Sequence, residues 1–379
     1  MTSWHAWYTW HDWIALALLG IFLLSLPALA FWRRKRLLAL LVSALALGGA
    51  VLIIKWPWQP VVREYYLQLP SSSALDRSLT VLQISDVHHS QRFRHKRLVE
   101  GCVKAALEAA RSRRIDLLVF TGDYVASNIE WNPQAILAAL AGLNQIRPTY
   151  GSYAVLGNHE HEESDRRAWA EGRPSREPFE GVEGMEPLGR VLNNEAVRMA
   201  DSSVWIVGVD DWSGGYADVR QAFAQVPGGA FTIVLTHSPD AILQVAAQGG
   251  DVMLSGHLHG GQFWIPSKHG FVYVDSKLMP EMRAHVIRGL TRAQRPAGGF
   301  TYLISNAGIG DWWGLRLGCP AEVCLITLSK QPPPAHLKAI MPREGDQMEL
   351  GWLGSVEPRV PPKAATPAAQ PQALEGAGP

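Results

Sequence analysis

Two long apolar runs open the chain. Residues 14–32 and 37–54 have no charged side chain, and Arg33, Arg34, Lys35 and Arg36 separate them. Each run is 18 or 19 residues long, close to the shortest helix that spans a bilayer. One continuous helix would bury four cations near the bilayer centre at roughly 2.5 to 3.5 kcal/mol each. Two short helices joined by a basic turn avoid that penalty, so the pattern predicts a transmembrane hairpin over residues 1–58. Trp4, Trp7, Trp10 and Trp13 precede the block and Trp56 and Trp58 follow it, where an interfacial aromatic belt lies. Beyond a proline-marked connector at 59–74, short β-rich runs alternate with helical periodicity. Strands are expected at 79–84, 117–120, 152–156, 204–209, 231–235 and 252–254. Leu98, Val99, Cys102, Val103, Ala106, Leu107 and Ala110 recur at helical spacing, and further helices are expected near 133–143 and after Pro239. The alternation indicates an α/β domain over 75–330. From 331 to 379 the chain turns to Pro, Ala, Gly and Gln and reads as a disordered tail.

Charge refines this picture. The basic turn should stay cytoplasmic, and no Lys or Arg precedes Ile14, so both ends of the hairpin face outward. The expected location is the cytoplasmic membrane, with the folded domain on its extracytoplasmic face and the lipid bilayer as a partner. Ala28-Leu29-Ala30 has the small-residue look of a leader cleavage site, but the region before Ile14 is not basic as a leader's is, and a retained anchor is preferred. Over all 379 residues, 35 Lys and Arg oppose 34 Asp and Glu, a balance without the basic field that nucleic-acid binding uses. Cys102, Cys319 and Cys324 form neither a disulfide framework nor a C-x-x-C pair, and they read as buried thiols.

The chemistry lies where the predicted strands stop. The run 79–84 leads into Asp86 and His88, 117–120 into Gly122-Asp123, and 152–156 into Gly157-Asn158-His159-Glu160. The run 231–235 leads into His237, and 252–254 into Gly256-His257-Leu258-His259-Gly260-Gly261. Ligands of α/β sheets collect beyond the carboxyl ends of strands, so five scattered segments should meet in one cleft. Asp86 and His88 are two apart, as are His257 and His259, and extended backbone would project each pair to one side. Imidazole, carboxylate and amide donors without thiolate suit manganese, iron, zinc or cobalt. Charge counting favours two divalent ions. Four positive charges, less Asp86, Asp123 and a shared hydroxide, leave about one positive charge to attract an anion.

In these segments the chain resembles the calcineurin-like metallophosphoesterase superfamily, whose D-x-H, G-D, G-N-H-[ED], H and G-H-x-H segments appear here in order. Gly256 to Gln262, with Asn306-Ala307-Gly308-Ile309-Gly310, is similar to the membrane-linked bacterial branch. The resemblance implies a sandwich of two mixed sheets flanked by helices, with two divalent metal ions at the strand ends. It implies that Asp86, His88 and His259 hold one ion, that Asn158, His237 and His257 hold the other, and that Asp123 bridges them. It also implies that His159 faces the substrate phosphate, where it stabilises charge or protonates the leaving oxygen. Many relatives place a second Asp three residues after the bridging one, but this chain has Ala126 there.

Neighbouring residues have blander readings. His89 and His161 adjoin the motifs without fitting a ligand slot, and Asp210 and Asp211 read as local caps in a turn. Arg166, Arg167, Arg173 and Arg176 around Trp169 fit a substrate-reading lid and a solvated loop equally well. The expected activity is a membrane-anchored, dinuclear-metal phosphoesterase acting on a phosphodiester or pyrophosphate, with a lipid-linked phosphate ester as substrate. One alternative is the pyrophosphate hydrolase of UDP-2,3-diacylglucosamine, whose substrate is cytoplasmic. Another is a non-catalytic scaffold that keeps the fold.

Overall fold

The computed structural model describes residues 60–90, 93–126, 132–161, 188–262, 264–267, 270–273, 288–310, 316, 319–334 and 347–348, with 21, 41 and 43–49. Of the apolar block only 21, 41 and 43–49 are described, all helical. Among the described residues no helix is long and apolar enough to cross a membrane. The two-span expectation, the tryptophan belts, the basic turn and the arginine-rich segment 162–187 thus lie mainly outside the described residues.

Two sheets form the domain. The first runs β1 (Val61–Gln68), β14 (Glu322–Ser329), β2 (Leu79–Ile84), β3 (Leu117–Thr121), β4 (Ser152–Val155), β5 (Arg190–Val191). The second runs β15 (Gln347–Met348), β12 (Gly289–Gln294), β13 (Phe300–Ser305), β9 (Val252–Ser255), β8 (Phe231–Leu235), β7 (Val204–Gly208), β6 (Glu195–Arg198). A small antiparallel ribbon, β10 (Trp264–Ser267) with β11 (Gly270–Tyr273), stands apart from both. Each sheet is mixed: β2, β3 and β4 are parallel while β14 runs against β2, and β7, β8 and β9 are parallel while β6 runs against β7 and β12 against β13.

The strands are nearly continuous apolar runs because both their faces are buried. Along β2, Val81 enters the core between the sheets, whereas Leu82 and Ile84 join Leu98, Cys102 and Ala106 of helix α1 (Phe93–Ser112). Along β8, Phe231, Ile233 and Leu235 enter the same central core, and Val234 packs outward with Ile242 and Val245 of helix α4 (Ile242–Ala247). Alternating side chains thus glue each sheet to its partner on one side and to helices on the other. Helix α2 (Pro133–Leu140) joins α1 outside the first sheet, and short α3 (Val219–Ala222) joins α4 outside the second. The result is a helix, sheet, sheet, helix sandwich, as expected.

Two stretches differ from the sequence expectation. The stretch 59–74, read as a connector, contains β1, an edge strand hydrogen-bonded in register to β14 from Val61↔Glu322 to Gln68↔Ser329. Its apolar pattern is broken by Arg63 and Glu64, which the fold pairs with Glu322 at 2.6 Å and with Arg113 at 2.6 Å. Within 331–379, read as a disordered tail, Gln347–Met348 pairs with β12 as β15. The remainder of 335–379 lies outside the described residues.

Candidate metal centre

The carboxyl ends of β2, β3 and β4 lie at one end of the first sheet, and those of β8 and β9 reach the same place from the second. The loops that follow bring Asp86, His88, Asp123, His159, His237, His257 and His259 into one cluster. Three groups have mutually close ligand atoms: Asp86, His88 and His259; His88, Asp123 and His159; Asp123, His237 and His257. His88 Nε2 lies 3.1 Å from His259 Nε2 and 3.5 Å from Asp123 Oδ2. Asp123 Oδ2 is 3.1 Å from His237 Nε2, which is 3.1 Å from His257 Nδ1. His159 Nε2 is 3.7 Å from Asp123 Oδ2, and its ring meets His88 edge-on. Asn158 precedes His159 at the same loop and is half-buried.

Two carboxylates also tie the loops together. The backbone N–H of His257 donates to Asp86 Oδ1 at 3.0 Å, and that of His159 donates to Asp123 Oδ1 at 3.0 Å. Asp123 thereby keeps Oδ2 in the cluster and uses Oδ1 to hold a second loop, whereas Asp86 Oδ1 both accepts the His257 N–H and lies 3.4 Å from His259 Nε2. Glu160 is a residue that ligand-slot reasoning passes over. Its buried carboxylate accepts the N–H groups of Asp123 at 2.9 Å, Tyr124 at 2.8 Å and Gly157 at 2.8 Å, clamping the loops after β3 and β4. The glutamate in Gly157-Asn158-His159-Glu160 was the available sequence signal for it.

The local backbone corrects one piece of sequence reasoning. The D-x-H and H-x-H pairs are not extended: Asp86, His88, Asp123, His257 and His259 all have φ between 45° and 71°. Left-handed backbone at non-glycine residues stores strain of about 1 to 3 kcal/mol each, which the surrounding fold must hold. Five such residues in one cluster mark a site shaped for its side chains rather than for chain stability. Gly122, at φ +83°, is required between β3 and Asp123, because a Cβ there would stand 2.7 Å from both Gly157 N and His237 Nδ1. A Cβ at Gly310 would stand 2.6 Å from His88 Cβ.

Electrostatics and tautomers fit a cation. Burial pushes the pKa of His88 and His259 well below the ordinary imidazole value and takes His257 down to about 3, so all three are neutral with a free lone pair. His237 Nδ1–H donates to Thr121 O at 2.8 Å and His259 Nδ1–H to Gly310 O at 3.1 Å, which turns Nε2 of each ring toward the cluster. Burial opposes charge on His237, but Asp123 and then Asp86 outweigh it and raise the pKa to about 10. Burial pushes Asp86 up to about 6. Burial also opposes charge on Asp123, yet His237 and His159 hold its carboxyl well below the usual range. The two acids therefore draw positive charge to this point, and nitrogen and oxygen donors without thiolate suit a divalent ion there.

Of the residues given bland readings, Asp211 behaves as expected, accepting the N–H groups of Ser213 at 3.2 Å and of Gly214. His161 and Asp210 do more: His161 Nε2 lies 2.7 Å from Asp210 Oδ1, both side chains are buried, and the His161 ring stacks on Tyr216. This pair spans 49 positions and has no local sequence signal. Behind His259, the buried Arg316 donates to His259 O, Ala307 O and Gly310 O.

Residues 79–261 match the family model described as calcineurin-like phosphoesterase. The chain is 25% identical over 325 residues to UDP-2,3-diacylglucosamine pyrophosphatase LpxG of Chlamydia trachomatis, covering 74% of this chain and 94% of that one. It is 28% identical over 252 residues to phosphodiesterase YaeI of Escherichia coli, covering 65% and 81%. It is also 28% identical over 218 residues to the uncharacterized metallophosphoesterase YkoQ of Bacillus subtilis, covering 56% and 72%.

Proposed function

Because the chain carries a calcineurin-like phosphoesterase domain, a metal-dependent hydrolase, we propose that it cleaves a phosphodiester or pyrophosphate bond of a lipid-linked substrate with two divalent ions. The observation that carries this reading is the convergence of seven side chains from five strand ends on one buried cluster. Asp86, His88 and His259 would hold one ion, Asn158, His237 and His257 the other, with Asp123 shared. Two such ions would supply Lewis acidity that activates water and neutralises the phosphate.

The chain's own residues complete the chemistry. Glu160 fixes the loops bearing Asp123 and Asn158, so the donors need little rearrangement when substrate arrives. His159 presents Nε2 to the Asp123 side of the cluster and delivers a proton to the leaving oxygen. Where many relatives place an acid to support this histidine the chain has Ala126, and Asp123 Oδ2 lies 3.7 Å from His159 Nε2.

The lipid-linked substrate and the membrane anchor rest on the apolar block. Of the large exposed apolar side chains among the described residues, Ile21, Leu41, Leu45 and Leu47 lie in it, with Leu45 66% exposed. Such side chains favour a bilayer over water. The basic turn orients the domain to the extracytoplasmic face. Protease added outside sealed vesicles that keep the cellular orientation should digest the domain, and digestion only after the vesicles are opened would reverse this topology.

Similarity along most of the chain to a UDP-2,3-diacylglucosamine pyrophosphatase favours a second reading, in which that nucleotide-linked lipid is the substrate and the domain is cytoplasmic. One assay addresses both. The purified full chain with manganese should hydrolyse bis(p-nitrophenyl) phosphate and lose that activity on chelation. Release of UMP from UDP-2,3-diacylglucosamine would select the second reading, and no hydrolysis of either compound would leave only the scaffold.

A further inference from the structure

The strand β7 also ends beside the cluster, and the turn after it reaches a donor that the other loops leave open. Asp211 closes this turn. Its carboxylate accepts the N–H groups of Ser213 and Gly214, and its carbonyl accepts those of Tyr216 at 2.9 Å and Ala217 at 3.0 Å. The turn is braced against the segment bearing Asn158 and His159 by the Asp210 to His161 contact of 2.7 Å and by His161 stacked on Tyr216 at 3.8 Å. Held in this way, the exposed Ser213 places Oγ 3.3 Å from His257 Nε2. The other ring nitrogen of His257, Nδ1, faces the cluster, 3.1 Å from His237 Nε2.

A neutral imidazole that offers Nδ1 to a cation must keep its proton on Nε2, and an acceptor there fixes both tautomer and ring direction. For His237 and His259 the outward nitrogen faces a backbone carbonyl, Thr121 O or Gly310 O, and no side-chain substitution removes those acceptors. His257 has a hydroxyl instead. We infer that Ser213 is a positioning residue: its Oγ accepts the Nε2 proton of His257 and holds the Nδ1 lone pair on the ion at the Asn158, His237 and His257 end. The inference rests on the two-ion reading. It makes the turn after β7 a sixth segment of the site, one that governs how firmly the more open ion is retained.

The test is a manganese titration of the metal-stripped full chain, with the free ion followed by electron paramagnetic resonance, for the natural protein, Ser213→Ala and Ser213→Thr. The natural protein should take up two ions. Ser213→Ala should weaken the weaker of them about 10- to 100-fold, the usual effect of losing a partner of a metal-bound histidine, and leave the tighter one unchanged. Ser213→Thr, which keeps the hydroxyl, should bind both as the natural protein does. If Ser213→Ala binds both ions normally, or Ser213→Thr is as weak as Ser213→Ala, the inference fails while the two-ion reading stands. A weakened ion together with a lower melting temperature of the metal-free Ser213→Ala chain also overturns it, since the loss would then belong to the turn's fold. If the natural protein takes up fewer than two ions, the two-ion reading fails and the role of Ser213 with it.

Discussion

The two ends of the cluster use similar donors in different surroundings. Asp86, His88 and His259 are all buried, and His259 is backed by Arg316, by Cys319 and by the carbonyl of Gly310. At the other end His237 is buried, but His257 is only half-buried, as is Asn158, the amide proposed for that end, and Ser213 beyond His257 is exposed. Burial makes release of an ion slow, because every departing charge must cross apolar packing, whereas an open edge admits water and an anionic ligand. On the two-ion reading proposed above, one end would retain its ion and the other would meet substrate. Asp123 belongs to both, since its Oδ2 lies 3.5 Å from His88 and 3.1 Å from His237.

The most disruptive change is therefore at the shared acid. Asp123→Asn removes a charge from both ends at once, and hydrolysis of bis(p-nitrophenyl) phosphate should fall roughly 10³-fold or more, about 4 kcal/mol of transition-state stabilisation. A variant that lost one ion and kept most of its turnover would show that the ends are independent. Gly310→Ala acts on the closed end alone. The new methyl would stand 2.6 Å from His88 Cβ, and both backbones lie in a packed loop. Overpacking of this kind costs about 1 to 3 kcal/mol. Manganese titration should show the tighter ion weakened and the more open one intact, and equal weakening of both would remove the distinction between the ends.

Much of this site was legible in the sequence, because strand propensity and metal-capable side chains alternate in chain order. The runs at 79–84 and 231–235 end where the strands end, and Asp86 and His237 follow within two positions. The reason first assigned to the D-x-H spacing was wrong, since left-handed turns rather than extended backbone aim Asp86 and His88, and residue spacing holds no record of φ. The edge strand β1 was hidden because Arg63 and Glu64 break its pattern, and their partners Glu322 and Arg113 lie 259 and 49 positions away. Asp210 and His161 were unreadable for the same reason: their meaning is a contact between two strand-end loops, and no local pattern encodes it.

That contact supports the smallest and most specific prediction. His161 is buried, which favours its neutral form, but the hydrogen bond and charge of Asp210 outweigh burial and raise its pKa above the ordinary value. A histidine raised in the folded state stabilises the protein fully below its unfolded pKa, near 6.5, and that contribution is lost as pH rises through the folded value. Asp210→Asn keeps an oxygen to meet the ring and the Asp211 N–H but removes the charge. The variant should be about 1 to 2 kcal/mol less stable at pH 6, typical of losing a hydrogen bond to a charged group, with most of the deficit gone by pH 9. Urea unfolding of the metal-free chain at the two pH values measures this directly. A deficit that is the same at both would mean that Asp210 braces the open end by shape alone, and the difference between the two ends would then owe nothing to this ion pair.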